Sequence, residues 1–166
     1  MDLTEAVERR LEVREFSDEP VPEDVPRAVL EAARLSPSSR NRQDWHFLLV
    51  DGDALEDLAA ASETGGWVAD AAFAVVVLTG DYPGHGIDVG RSITHMQFAA
   101  WDRGVGSCIF TGVDEGVLRE RFGVPESLVQ GAVVGFGTPA GSGTGRKERR
   151  PLPEVASHNE FGTPPN

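Results

Sequence analysis

The stretch "AAFAVVVLTG", residues 71–80, constrains the fold more than any other part of this sequence. Its residues are β-branched or apolar at consecutive positions, without the alternation that leaves one face of a strand to water. Both faces of such a strand must be covered, so it is predicted to be a central strand of a sheet.

The same stretch, at ten residues, is far shorter than the roughly 20 apolar residues that cross a bilayer. The charged start "MDLTEAVERR" has no apolar signal-peptide core. We therefore expect a soluble, cytoplasmic protein.

Hydrophobic periodicity predicts alternating helices and strands on either side of this stretch. Helices are predicted over 3–11, 23–35, 53–62, 85–104 and 114–125, and strands over 45–52, 71–80, 106–112 and 128–140. Asp53 is predicted to cap the third helix. Helix 85–104 is apolar round much of its circumference, which predicts burial on more than one side. The order favours an α+β fold, with a central mixed β-sheet, flanking helices and one long buried helix.

The composition excludes several classes of function. A net charge of −12 disfavours binding to nucleic acid or to an anionic membrane. Lys147 is the only lysine among fifteen basic residues, a bias typical of a halophilic source, although a GC-rich genome would also replace lysine by arginine. Cys108 is the only cysteine, and the four histidines lack metal-ligand spacing, so we expect no disulfide and no metal site.

The basic residues are grouped. Nine of the fifteen lie in three segments: Arg9, Arg10 and Arg14; Arg40 and Arg42; and Arg146, Lys147, Arg149 and Arg150. If the fold brings these segments together, they form an anion pocket suited to phosphate. The alternative is a set of solvated charges or local ion pairs with neighbours such as Glu12, Glu15 and Glu148.

Several common nucleotide-binding and catalytic motifs are missing from the sequence. It has no GxGxxG after a strand, no P-loop and no GxSxG elbow. Cys108, in an apolar segment, is interpreted as an unreactive core thiol. His95, on the long helix, is interpreted as a core histidine.

Four segments in order carry a family resemblance: "ERRLEVREFSDEP", "LSPSSRNRQDWHF", "GVGSCIFTG", and "VVGFGTPA" with "RKERRPLPEV". Together they resemble the nitroreductase family of FMN-dependent oxidoreductases over nearly the whole chain. The resemblance implies a nitroreductase-like FMN fold and an intertwined homodimer with one FMN per subunit at the interface. Residues 1–150 would form a single FMN-binding domain. The Gly/Pro-rich residues 151–166 would form an arm that packs on the partner subunit.

The resemblance also implies roles for individual residues. The phosphate would be held by Arg10, Lys147 and Arg149, and Arg14 would lie near N1 and O2 of the flavin. The loop from the second subunit would contribute Pro37, Ser38, Ser39, Asn41 and Gln43. The backbone of Thr111 and Gly112 would face the flavin, near N5. Flavin N5 takes the hydride itself, so the resemblance implies no catalytic side chain. The chain departs from the family pattern at Glu12, which replaces a serine, as well as at Leu11 and Asp44.

The implied reaction is a ping-pong hydride transfer from NADH or NADPH to a nitroaromatic, quinone or flavin-type small-molecule acceptor. Two alternatives remain open. The same scaffold could carry other flavin chemistry, such as flavin destruction, reductive dehalogenation or oxidation of a peptide-derived ring. The protein could also be a flavin-binding module without turnover. A purely acidic interaction domain would leave the grouped arginines without a purpose.

Overall fold

The apolar stretch at residues 71–80 forms one of the two inner strands of the sheet. The computed structural model of the chain describes residues 2–165. Strand β2 (Phe73–Thr79) pairs with β1 (Trp45–Asp51) on one side and β4 (Val129–Gly137) on the other. Strand β3 (Gly106–Phe110) completes the order β1-β2-β4-β3. Every residue of β2 is buried, so the prediction of a central strand covered on both faces is confirmed.

The sheet is antiparallel in all three of its described pairings, so the prediction of a mixed sheet is wrong for residues 2–165. The connection from β2 to β3 runs through the long helix α4 (His85–Trp101). A helical crossover of this kind brings two strands into the same direction. Here β4 lies between them and pairs antiparallel with both. Periodicity identifies strands, but it does not identify their neighbours.

Helices cover both faces of the sheet. On one face, α2 (Val25–Arg34) and α4 pack against Phe73, Val75 and Val77 of β2. On the other face, helices α3 (Ala54–Ala60) and α5 (Glu115–Phe122), with a 3-10 turn at Gly66–Asp70, pack against the alternate residues of β2. A further 3-10 turn spans Ser39–Asn41. The result is a three-layer α+β fold, as predicted.

Helix α4 buries one face and exposes the other in the single chain. Its buried residues are Asp88, Val89, Ser92, Ile93, Met96, Gln97 and Ala100. Its exposed face, which we call the α4 outer face, consists of Gly86, Ile87, Gly90, Arg91, Thr94 and His95. Ile87 is 63% exposed, so the expected burial on more than one side does not occur within one chain. His95 is likewise exposed and not a core histidine; its Nδ1 lies 3.3 Å from the Ala32 carbonyl oxygen.

Short helices lie near both ends of the described residues. Helix α1 (Leu3–Arg9) is capped by Asp2, whose carboxylate accepts from the Thr4 N–H at 2.8 Å. Helix α6 (Leu152–Val155) lies in the C-terminal segment. Asp53 takes the N-cap position of α3, but its side chain makes no capping hydrogen bond, so the predicted capping role is wrong. Between residues 2 and 165, every helix is too short or too polar to span a bilayer.

Candidate functional site

An extended N-terminal segment ties the first basic residues to the last ones. The Leu11 N–H donates to the Gly143 carbonyl at 3.2 Å, and the Val13 N–H donates to the Ser107 carbonyl of β3 at 2.9 Å. Further along, the Ser17 N–H donates to the Thr138 carbonyl. Residues 9–17 therefore lie between the edge of β3 and the loop that follows β4. This packing brings the first and third basic segments of the sequence together.

Arg10, Lys147 and Arg149 form a basic cluster at this junction. Lys147 Nζ donates to the Val7 carbonyl oxygen, which anchors the lysine against α1. Burial and the nearby charges of Arg10 and Arg149 lower the pKa of Lys147. A bound anion would relieve this repulsion between like charges. Lys147, Arg149 and Arg146 also line an open depression of about 770 Å³ beside α1. Two of the three basic segments, the first and the third, therefore meet within one chain.

Glu12 occupies the centre of the junction. Its Oε1 lies 2.8 Å from Arg10 Nη1. Both of its oxygens accept from Gln97 Nε2 of α4 at 3.1 Å, and Oε2 also accepts from the Ile109 N–H of β3 at 3.2 Å. The alternative that Glu12 forms a local ion pair with a neighbouring basic residue is therefore realised at Arg10.

Arg14 lies further along the same segment. Its Nε donates to Cys108 Sγ at 3.3 Å, which ties the guanidinium to β3 while the residue stays exposed to solvent. Cys108 is 1% exposed, and its burial raises the pKa of the thiol although Arg14 acts in the opposite direction. A buried, protonated thiol is unreactive, in line with the core role predicted for Cys108.

Thr111 and Gly112 follow β3 directly, and both are exposed. Gly112 has a φ of 79°, a left-handed conformation that favours glycine. The next residue, Val113, donates its N–H to Gln130 Oε1 of β4 at 3.2 Å, which holds the turn. Because a strand rises about 3.3 Å per residue, Thr111 lies about 7 Å beyond Ile109. The basic cluster, Glu12 and the exposed turn at Thr111 therefore follow one edge of β3.

The loop that was predicted to contact flavin is strained. Arg40, Asn41 and Gln43 all have left-handed backbones, with φ of 53°, 55° and 56°. Such conformations cost free energy for residues other than glycine, and they cluster at functional sites. Within the loop, the Gln43 N–H donates to Ser38 Oγ at 3.0 Å.

Asp88, at the start of α4, holds this loop. Its carboxylate accepts from the Ser39 N–H at 2.9 and 3.1 Å and from the Tyr82 hydroxyl at 2.7 Å. Burial alone would raise the pKa of Asp88, but these hydrogen bonds and the charges of Arg91 and Arg42 hold it below its usual value. Asp88 was not predicted as a site residue; the signal available in the sequence was an acidic residue in the first turn of the long helix.

The loop and the basic cluster lie at different positions along α4. The loop is bound at Asp88, whereas Glu12 is bound at Gln97, nine residues later. At 1.5 Å per residue, these anchor points are about 13 Å apart along the helix. Pro37 of the loop lies beside the α4 outer face, where it lines a depression of about 360 Å³.

Arg42, in the same loop, makes only local contacts among those described: its Nη1 lies 3.5 Å from Asp44 Oδ2, and its guanidinium lies 5.1 Å from the centre of the Tyr82 ring. The second basic segment therefore does not join the cluster.

No group of three or more histidine, cysteine, aspartate or glutamate side chains within residues 2–165 is placed to hold a metal ion.

Comparison with known proteins decides the family. The model of the nitroreductase family matches residues 7–83 and 78–138. The chain belongs to the nitroreductase family. It is 31% identical over 152 residues to a Methanothermobacter thermautotrophicus protein provisionally named NADH dehydrogenase/NAD(P)H nitroreductase, covering 84% of this chain and 78% of that relative. An Archaeoglobus fulgidus protein with the same provisional name is 32% identical, covering 78% of this chain and 81% of the relative.

Solved structures share the nitroreductase fold. A provisionally assigned nitroreductase from Desulfovibrio desulfuricans, crystallised in complex with FMN, aligns with a TM-score of 0.83 at 27% identity and covers 96% of each chain. A Bacteroides thetaiotaomicron protein of the same fold aligns with a TM-score of 0.85 at 21% identity, covering 95% of this chain and 97% of that one.

Proposed function

We propose that this nitroreductase-family protein is an FMN-dependent oxidoreductase that transfers reducing equivalents from NADH or NADPH to a small-molecule acceptor. One observation carries the proposal: Arg10 and Lys147, 137 residues apart in sequence, converge beside β3, and Thr111, the residue directly after β3, is exposed. The FMN complex of the Desulfovibrio desulfuricans relative supports the choice of cofactor.

The chemistry of these residues fits FMN. Arg10, Lys147 and Arg149 would hold the phosphate; burial, and after it the charges of Arg10 and Arg149, lower the pKa of Lys147, and a bound phosphate would offset the repulsion among these cations. Arg14, tied by its Nε to Cys108, would hold a positive charge at the pyrimidine end of the flavin. When bound, FMN supplies the redox chemistry: it accepts a hydride from the nicotinamide and passes two electrons on to the acceptor.

The chain's own contribution is binding and orientation. The exposed turn at Thr111 and Gly112 would present backbone N–H groups to the ring, held in place by the Val113–Gln130 hydrogen bond. Arg14 stays charged and would stabilise negative charge that develops on the ring during reduction. No side chain needs to act as a general acid or base.

We propose further that the site is completed by a second copy of the chain. The α4 outer face carries two glycines, Ile87 and Thr94, and it is open in the single chain. If two copies pack through this face with antiparallel helices, the Asp88 end of one helix meets the Gln97 end of the other. The loop of one subunit, with Ser38, Asn41 and Gln43, would then lie beside the basic cluster of its partner. Exposed Leu152, Val155 and Phe161 of the C-terminal arm would be covered by the partner subunit.

Nitroaromatics, quinones and free flavins are the acceptor classes that we propose, in a ping-pong scheme in which the nicotinamide leaves before the acceptor binds. A dependence on NAD(P)H supports a cytoplasmic location, and the net charge of −12 supports a high-salt environment.

Anaerobic spectroscopy tests this function. FMN-loaded protein mixed with NADH or NADPH is expected to lose its oxidised-flavin absorbance and regain it when a quinone is added. Flavin that binds but is not reduced by either nicotinamide would indicate a binding module without turnover. Loss of flavin absorbance that no acceptor reverses would indicate flavin destruction.

A further inference from the structure

We infer that Glu12 is a specificity-determining residue: its carboxylate competes with the phosphate of the cofactor for Arg10, and so limits how strongly the site prefers phosphorylated over unphosphorylated flavin. This inference rests on the proposed function and concerns the same site.

The position of Glu12 carries the inference. Its carboxylate lies 2.8 Å from Arg10, at the distance that a phosphate oxygen would take. The Arg10 side chain is only 17% exposed, so its guanidinium has little freedom to serve a second anion elsewhere. In the single chain, Glu12 therefore takes the place of an anionic ligand at Arg10.

The charge of Glu12 acts on more than one member of the cluster. It raises the pKa of Lys147, against the lowering by burial, Arg10 and Arg149. A phosphate that arrives at the cluster must therefore share these cations with a carboxylate or displace it. The Glu12 side chain is 41% exposed, which leaves it room to turn towards solvent. Both sharing and displacement reduce the gain from binding a phosphate.

The structural role of Glu12 does not require its charge. Gln97 and the Ile109 N–H each need an acceptor, and a glutamine at position 12 offers one through its own Oε1. A neutral residue of the same shape can therefore keep these contacts while it releases Arg10. The effect of charge on phosphate binding can thus be separated from the effect on folding.

The test compares FMN with riboflavin, which lacks the phosphate, by titration of protein freed of flavin and detection of flavin fluorescence. Glu12→Gln is expected to tighten FMN binding by about tenfold and to leave riboflavin binding unchanged. Glu15→Gln removes the same charge three residues along the segment and serves as the matched control; it is expected to change neither affinity. If the melting temperature shows that Glu12→Gln does not fold, Glu12→Ser takes its place with the same expectation.

A second pair of variants tests whether the gain in FMN affinity acts through Arg10. In the background of Arg10→Ala, Glu12→Gln is expected to give no gain in FMN affinity, because no guanidinium is left to release. An unchanged or weaker FMN affinity in folded Glu12→Gln, or an equal gain for riboflavin, would overturn the inference while the proposed function stands. If neither flavin binds to the wild-type protein or to Glu12→Gln, the proposed function and the inference both fail.

Discussion

Asn41 lies in the strained loop and has a left-handed backbone, with a φ of 55°. We expect Asn41→Ala to weaken FMN binding by about tenfold, since the amide would lose a hydrogen bond to the flavin. Asn159→Ala is the matched control, because Asn159 also has a left-handed backbone, with a φ of 64°, but lies in the C-terminal arm. Both variants should lose on the order of 1 kcal/mol of stability from the backbone. Equal FMN affinities in the two variants would show that the loop is a simple turn and that Asn41 does not bind FMN.

Asp88 gives a prediction on pH. Its pKa is held below the usual value in the folded chain, so its carboxylate contributes stability above the pKa of the unfolded chain, about 3.9. That contribution is lost as the pH falls through the lower folded value. Urea unfolding of wild type and Asp88→Asn should therefore differ most near neutral pH and converge in acid. Asp81→Asn, at a side chain that is 80% exposed, should follow wild type throughout. A difference between wild type and Asp88→Asn that stays constant with pH would contradict this role.

At the scale of elements, β4 carries a bulge that sets how α4 packs on the sheet. The pairing of β2 with β4 shifts between Val77 and Leu78, opposite Gly131. A Cβ at Gly131 would lie 2.7 Å from Val89 of α4. We expect Gly131→Ala to cost about 1–3 kcal/mol in the free energy of unfolding measured in urea, because α4 must move outward. Gly66→Ala, whose added Cβ meets nothing within 4 Å, should cost much less. Equal costs would show that the bulge does not control this packing.

The sequence predicted elements better than their arrangement. The apolar run of β2 and the periodicity of α4 are local signals, and both elements form where they were expected. The position of β4 between β2 and β3 depends on contacts distant in sequence, so the strand directions could not be derived from local patterns. The exposure of Ile87 was missed for a related reason: an apolar helical face does not specify whether the same chain or another one covers it.

The candidate site, too, was predicted only in part: its residues were named from the sequence, but most of their contacts were not. The resemblance named Arg10 and Lys147, and the fold brings them together. The contacts of Glu12 with Gln97, 85 positions away, and of Ser39 with Asp88, 49 positions away, required the three-dimensional structure. Both are hydrogen-bonded contacts between residues distant in sequence, and they leave no periodic pattern in it.

At the scale of the whole molecule, the α4 outer face is the surface that we propose for dimerisation. A Cβ added at Gly90 meets nothing within 4 Å, so the single chain tolerates a larger residue there. We expect Gly90→Leu to remain folded but to sediment as a monomer, and to lose FMN because each site would lack its second half. Glu120→Leu, on the exposed face of α5 in the opposite layer, should sediment as wild type. A Gly90→Leu protein that sediments as a dimer and retains FMN would place the interface elsewhere.

Subunit mixing tests the central claim, a flavin site shared between two chains, most directly. One variant, Arg10→Ala with Lys147→Ala, lacks the basic cluster; the other, Asn41→Ala with Gln43→Ala, lacks the loop side chains. Each alone should bind FMN weakly. After unfolding and refolding together, mixed dimers should contain one site built from the intact cluster of one chain and the intact loop of the other. Equilibrium dialysis at an FMN concentration that saturates wild type should therefore detect binding in the mixture that exceeds both parents. Binding in the mixture that stays at the average of the two parents would contradict the shared site.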